Sequence, residues 1–353
     1  MYFKILREDL THHGYIYQEG LNVYSKPYNS IPSNREGLFF TDIENISEFY
    51  SCGNKIAEVI LPDGEEVIKR TTDYKAHKII LGEIRDLWTI NTLEYLKECG
   101  VDFQANGYHI LHCAARNGHL EIVKYLLRQG ADIHSYDDNA LRHAAGNGHL
   151  DVVQYLVQHG ANIHAHDDRA LCEAATNGHL DIVKYLIEKG ANVHARCDDA
   201  LCLAAWSGHL RIVKCLVEAG SKIHTFDEFN KGEDDAVVFA SGRGYLNIVK
   251  FLIEAEGNTH IHDNEALCWA ARSGHLDIVK YFIERGADVD ARHGDALRGA
   301  AENNHLDIVK YLIGQGANIH VINEYVLERA ALNRDSKTAK YLSKLMELIK
   351  SPL

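Results

Sequence analysis

The chain has 353 residues, 46% of them hydrophobic and 25% charged, which is the composition of a folded globular protein and not of a disordered one. A net charge of −13 argues against nucleic acid or an anionic membrane as partner, since both are held by Lys and Arg, and favours a basic or mixed protein surface. No run approaches the ~18 apolar residues of a membrane span. Met1-Tyr2-Phe3-Lys4-Ile5-Leu6-Arg7-Glu8-Asp9 turns charged too early for a secretory signal, so the expected setting is the cytosol.

Residues 1–75 read as a small β-rich or α+β head. They are rich in Tyr and Phe and carry turn signals at Gly14, Gly20, Pro27, Pro32, Gly37, Gly53 and Pro62-Asp63-Gly64. Lys55-Ile56-Ala57-Glu58-Val59-Ile60-Leu61 predicts a strand between two of them. Apart from Pro352, no proline follows Pro62, so no strong helix breaker interrupts the rest of the chain.

From residue 76 the pattern becomes periodic. Gly118-His119-Leu120 recurs as Gly148-His149-Leu150, Gly178-His179-Leu180 and Gly208-His209-Leu210, a strict spacing of 30. The spacing jumps once by 36, to Gly244-Tyr245-Leu246, and resumes at 30 with Gly274-His275-Leu276 and Asn304-His305-Leu306. Seven repeats therefore span 107–322. In each, a small-residue helix such as Ala170–Asn177 ends at a glycine suited to left-handed backbone. A second helix follows with an apolar stripe such as Leu180, Ile182, Val183, Leu186 and Ile187. Asp168 stands where it would cap the first helix. At 76–106, Leu93–Gly100 matches a second helix, but Trp88 replaces the glycine, and this segment reads as an N-terminal cap. At 323–348, Leu327, Ala330-Ala331 and Lys340-Tyr341-Leu342 keep the register without the triplet and read as a C-terminal cap. Such units bury their apolar faces only against neighbours, so about nine helix-turn-helix units should stack into a mainly α solenoid over 76–348.

Ala140-Leu141-x-x-Ala144-Ala145-x-x-Gly148-His149-Leu150-Asp151-Val152-Val153, followed by Leu156 and Gly160-Ala161-Asn162, resembles the ankyrin repeat. The ankyrin unit is about 33 residues long, and the three missing residues fall between Gly160 and Leu171, where that family carries its β-hairpin finger. Most fingers should be short. Tyr15-x-Tyr17-x-x-Gly20-Leu21-Asn22 and Gly37-Leu38-Phe39-Phe40-Thr41-Asp42, together with the short repeats, resemble the ankyrin-repeat proteins of giant DNA viruses of the mimivirus type. That resemblance implies the cytoplasm of an infected cell and a host or viral protein as partner.

Twelve of the 22 histidines fall into two repeat columns. They are His119, His149, His179, His209, His275 and His305 in one, and His134, His164, His194, His224, His260 and His320 in the other. Side chains recurring once per unit stand a stacking distance apart, whereas zinc draws its ligands to about 2 Å, so no metal site is expected. The first column should instead bond loop backbone. Cys172, Cys202 and Cys268 also occupy one column and read as reduced, semi-buried thiols, because a disulfide tolerates at most ~7 Å between Cα atoms. Neither a dinucleotide loop nor a calcium loop survives inspection around Gly242-Arg243-Gly244 or Asp227–Val238, so no cofactor, catalytic residue or small-molecule substrate is expected.

Three features mark a partner site. The first helices of consecutive units carry Leu203 and Trp206, then Phe239, then Trp269 and Arg272, at positions that line the concave groove of the resembled family. The tryptophans could equally pack between repeats. The insertion Thr225–Asp235 lengthens one finger with Phe226, Asp227, Glu228, Phe229, Glu233, Asp234 and Asp235. An acidic ladder, Asp137-Asp138, Asp167-Asp168, Asp198-Asp199, Glu233-Asp234-Asp235, Asp263 with Glu265, and Asp295, could steer a basic partner. The expected function is a non-catalytic interaction scaffold or adaptor. The rival readings are a substrate-recruiting subunit of a host ubiquitin ligase and an enzymatic head targeted by the repeats.

Overall fold

The computed structural model describes residues 1–12, 15–25, 37–103, 107–223, 235–256, 263–332 and 337–350. By contact density the chain divides into two units, Met1–His166 and Asp167–Leu353.

The first unit begins with a strand-rich head: β1 (Tyr2–Leu6), β2 (Thr11–His12), β3 (Tyr15–Ile16), β4 (Gly20–Val23), β5 (Leu38–Asp42), β6 (Lys55–Ile60), β7 (Val67–Lys69), β8 (Tyr74–Ala76), β9 (Lys78–Leu81) and β10 (Arg85–Asp86). The boundary expected at residue 75 falls inside β8, and strands continue to Asp86. The sheet runs β4-β9-β6-β1-β5-β8-β7, with β10 beside β6 and a separate β2-β3 ribbon. Every pairing is antiparallel. Leu6, Tyr17, Leu38, Phe40, Ala57, Val59, Ile79 and Leu81 fill its core. Lys4, on the central strand, is only 3% exposed. Its Nζ lies 2.7 Å from His12 Nδ1 and 4.8 Å from the centre of the Tyr17 ring. Burial pulls its pKa down to about 7.

Helices follow: α1 (Ile90–Glu98), α2 (Gly107–Arg116), α3 (Leu120–Arg128), α4 (Ser135–Gly146), α5 (Leu150–Gln158), α6 (Ala165–Asn177), α7 (Leu180–Glu188), α8 (Asp199–Ser207), α9 (Leu210–Glu218), α10 (Ala236–Arg243), α11 (Leu246–Glu256), α12 (Asp263–Ser273), α13 (Leu276–Glu284), α14 (Ala291–Glu302), α15 (Leu306–Gly314), α16 (Glu324–Ala331) and α17 (Lys337–Lys350). From α2 onward they pair, first helix with second, as the 30-residue register requires. The segment expected as a full N-terminal cap unit holds a single helix among its described residues. Strands β8 to β10 occupy the chain where that unit's first helix would lie. The head is joined to α1 by Tyr95 Oη, which donates to Glu58 Oε2 at 3.1 Å, and by the Arg85 guanidinium stacked 4.0 Å over the Tyr95 ring.

The glycine–histidine register has a steric explanation. Gly178 has φ +87°, and a Cβ there would come within 2.7 Å of the His209 ring from the next repeat. That ring is held in place because His209 Nε2–H donates to Thr176 O at 3.0 Å. His149, His275 and His305 bond Arg116 O, Gly242 O and Arg272 O in the same way, at 2.9, 3.2 and 3.0 Å. The first histidine column therefore bonds loop backbone across the repeats, as expected. For His119 the preceding unit has Trp88 in place of the motif glycine, and the two rings stack with centres 5.0 Å apart.

The shortened fingers close in a way that was not expected. Three consecutive residues take left-handed backbone in each: Tyr136-Asp137-Asp138, His166-Asp167-Asp168, Arg196-Cys197-Asp198 and Arg292-His293-Gly294. Left-handed backbone costs a non-glycine residue roughly 1–2 kcal/mol. The third residue of each of the first three turns offsets that cost. The buried carboxylates of Asp138, Asp168 and Asp198 accept the backbone N–H of Asn162, Asn192 and Lys222 in the following repeat, each at 2.8 Å. In the last turn the third position is Gly294, and Asp290 accepts from Asn318 N instead, again at 2.8 Å. Asp168 and Asp198 thus tie one repeat to the next, and Asp198 makes no side-chain capping bond to its own helix. Asp198→Ala should cost on the order of 1–3 kcal/mol by leaving the Lys222 N–H without its acceptor. The check is urea unfolding together with hydrogen exchange at the Lys222 amide. Unchanged stability with a still-protected amide would show the bond to be dispensable.

Candidate protein-binding surface

The surface is built on the first helices α8, α10 and α12. Each is short and rich in alanine. Ala204 and Ala205, Ala240, and Ala270 and Ala271 are fully buried, and their small side chains let successive first helices approach closely. Larger residues one position away are thereby turned outward. Trp206 is 44% exposed and Trp269 43%. Leu203 and Phe239 are half-buried.

Trp206 meets Phe239 edge to face, with ring centres 5.5 Å apart and planes at 89°. The Arg243 guanidinium lies 4.7 Å above the centre of the Trp206 ring. Trp269 rests against Gly242, where an added Cβ would sit 3.7 Å from the Trp269 Cβ. The Arg272 guanidinium lies 5.5 Å from the centre of the Trp269 ring. A cation on an indole face is attracted by the ring quadrupole and holds the ring in one orientation. The structure thus joins Trp206 to Phe239 and Trp269 to Arg272, and places Leu203 one helical turn before Trp206. Arg243 was missed by the sequence reading. Its signal was a basic residue immediately after the glycine that answers to Trp206 in the next repeat.

Beside Trp269 a recess is lined by Glu265, Cys268, Trp269, Arg272, Arg292 and Asp295. Arg292 bonds Glu265 at 2.9 Å, and Arg298 pairs with Asp295. Burial pushes the Cys268 thiol up to about 12, with the Asp295 carboxylate adding to it, so it is protonated and unreactive at neutral pH.

Of the finger residues, Phe226, Asp227, Glu228, Phe229, Glu233 and Asp234 lie outside the described residues. Asp235 is not partner-facing. It is only 2% exposed and caps α10, accepting from Val237 N at 2.7 Å and Val238 N at 3.4 Å. The acidic ladder is similarly reduced. Asp138, Asp168 and Asp198 are buried in the inter-repeat bonds, while Asp137 and Asp167 remain exposed.

The ankyrin-repeat family model in its three-copy form matches residues 87–167, 134–197, 162–227, 201–293 and 236–323. Protein R869 of Acanthamoeba polyphaga mimivirus is 37% identical over 130 residues, covering 35% of this chain and 94% of R869. The ankyrin-repeat proteins R868 and R896 of the same virus are 35% and 32% identical over 132 and 129 residues. Each of those matches covers 35% of this chain, but only 65% of R868 and 39% of R896. Among solved structures, the human ASB11 ankyrin repeat domain is 27% identical with a TM-score of 0.50, covering 60% of this chain and 98% of that domain. With matches running from residue 87 to 323, over more than half its length, the chain belongs to the ankyrin-repeat family, whose arrays serve as protein–protein interaction scaffolds.

Proposed function

We propose that this protein is a non-catalytic adaptor whose array grips a protein partner on the face formed by α8, α10 and α12. The supporting observation is the pair of half-exposed indoles, Trp206 under the Arg243 guanidinium of the next first helix and Trp269 beside the Arg272 guanidinium of its own helix. Aromatic residues and arginine dominate interface hot spots, and they do so where a rigid side chain is available to enter a partner's pocket. The setting proposed is the cytoplasm of an infected cell, in keeping with the viral relatives; no described helix is long and apolar enough to cross a membrane.

Affinity capture from Acanthamoeba lysate, comparing the full chain with its Trp206→Ala/Trp269→Ala variant, tests this. Each truncation should weaken binding at least about tenfold, with the helical spectrum unchanged. A partner retained equally by the folded variant would place the site elsewhere. A captured ligase core component that survives the substitutions would support recruitment of a host ubiquitin ligase through another surface.

A further inference from the structure

The charge on the tryptophan face runs against that of the molecule. Although the chain carries a net −13, the carboxylates near Trp269 are already engaged. Glu265 is bonded by Arg292 at 2.9 Å, and Asp295 is paired with Arg298 and lies 3.9 Å from Arg292. Arg243 and Arg272 differ from these. Among the described residues neither guanidinium has a carboxylate partner; each rests on an exposed indole. A guanidinium stacked on a ring leaves its N–H edge directed sideways, as a planar fork matched to a carboxylate. Two such forks on neighbouring repeats, each backed by an apolar ring, form a repeated receptor for an acid group next to an apolar side chain.

Resting on the proposed binding face, we infer that the segment bound there is an acidic peptide that sets carboxylates against Arg243 and Arg272 and apolar side chains against Trp206, Phe239 and Trp269. The buried acidic ladder no longer argues for a basic partner at this place, because Asp138, Asp168, Asp198 and Asp235 are consumed by backbone bonds. A nucleic acid also offers anions and stacking bases, but it would bring its whole backbone charge against a strongly acidic protein.

The test is selection of dodecapeptides from a random displayed library on the immobilised full chain, followed by titration of the synthetic winners. Winners should carry Asp or Glu beside aromatic or aliphatic residues. Their affinity should fall at least tenfold with Arg243→Gln/Arg272→Gln, with Arg243→Glu/Arg272→Glu and with Trp206→Ala/Trp269→Ala. All these residues are exposed, and circular dichroism recorded on each variant checks that it is folded. Winners that need the tryptophans but are indifferent to the arginine substitutions, or that are rich in Lys and Arg, would overturn the acidic assignment and leave the binding face standing. Winners indifferent to the tryptophans would overturn the face itself. Tryptophan-dependent binding of a 20-nucleotide oligothymidylate, or tryptophan-dependent self-association in sedimentation, would replace the acidic peptide by that occupant.

Discussion

Leu186→Asp is expected to abolish cooperative unfolding of the array around its repeat. Leu186 is fully buried on α7 together with Ile182 and Val183. Truncating a buried leucine costs about 2–5 kcal/mol through lost transfer energy and the cavity left behind. A carboxylate placed there adds several kcal/mol more, whether it is desolvated or forced to take up a proton. The array has no single core in which to spread this cost, since each repeat is stabilised by its neighbours. The loss should therefore appear as a split or broadened urea transition, with rapid hydrogen exchange in α6, α7 and α9. A transition superimposable on wild type would show that the apolar stripe of α7 faces elsewhere.

Lys4→Met is expected to act in the opposite direction. Lys4 titrates near 7 in the folded head, against 10.5 in the ordinary case, because burial disfavours its charged form. Between those two values the unfolded chain binds more protons than the folded one, so wild-type stability rises with pH over that window and is flat below it. At about 1.4 kcal/mol per pH unit, the full penalty below pH 7 is on the order of 5 kcal/mol. Methionine fills a similar volume with no charge to desolvate, and gives up the bond to His12. The variant should melt several degrees higher at pH 6.5, and the gap should close as pH approaches 10. A variant less stable than wild type at pH 6.5, or a gap independent of pH, would mean that the Lys4 ammonium is compensated inside the head.

The solenoid was legible because it is written in repetition. A spacing of 30 carried by glycine, histidine and leucine fixes both helices of every unit, and the stripe at Ile182, Val183 and Leu186 fixes which face is buried. The backbone contact of the first histidine column could be anticipated for the same reason. The shortened fingers were not legible. Nothing in Tyr136-Asp137-Asp138 or Arg196-Cys197-Asp198 calls for three left-handed residues in succession, and the conformation is sustained by a carboxylate bond to an amide 24 residues away. Read locally, such aspartates look like helix caps, as Asp235 is, and the bonds of Asp138, Asp168 and Asp198 to the following repeat do not show. The N-terminal cap was misjudged because β8 to β10 replace a helix with segments too short to show alternation. At the candidate site, spacing brought Trp206, Phe239 and Trp269 together, but Arg243 could be recognised only once its guanidinium was seen above Trp206. Lys4 escaped notice because alternation along Tyr2–Leu6 does not reveal that both faces of that strand are covered.

Photo-crosslinking addresses the central claim most directly. A photoreactive benzoylphenylalanine is placed singly at Phe239 on the proposed face, at Lys184 on the exposed side of α7, and at Ile16 on the head, in the otherwise intact chain. Each variant is irradiated in Acanthamoeba lysate. Binding through the face of α8, α10 and α12 predicts a discrete protein adduct from position 239, none from 184 or 16, and loss of that adduct when Trp206→Ala/Trp269→Ala is added. An adduct from 184 or 16 with none from 239 would contradict it.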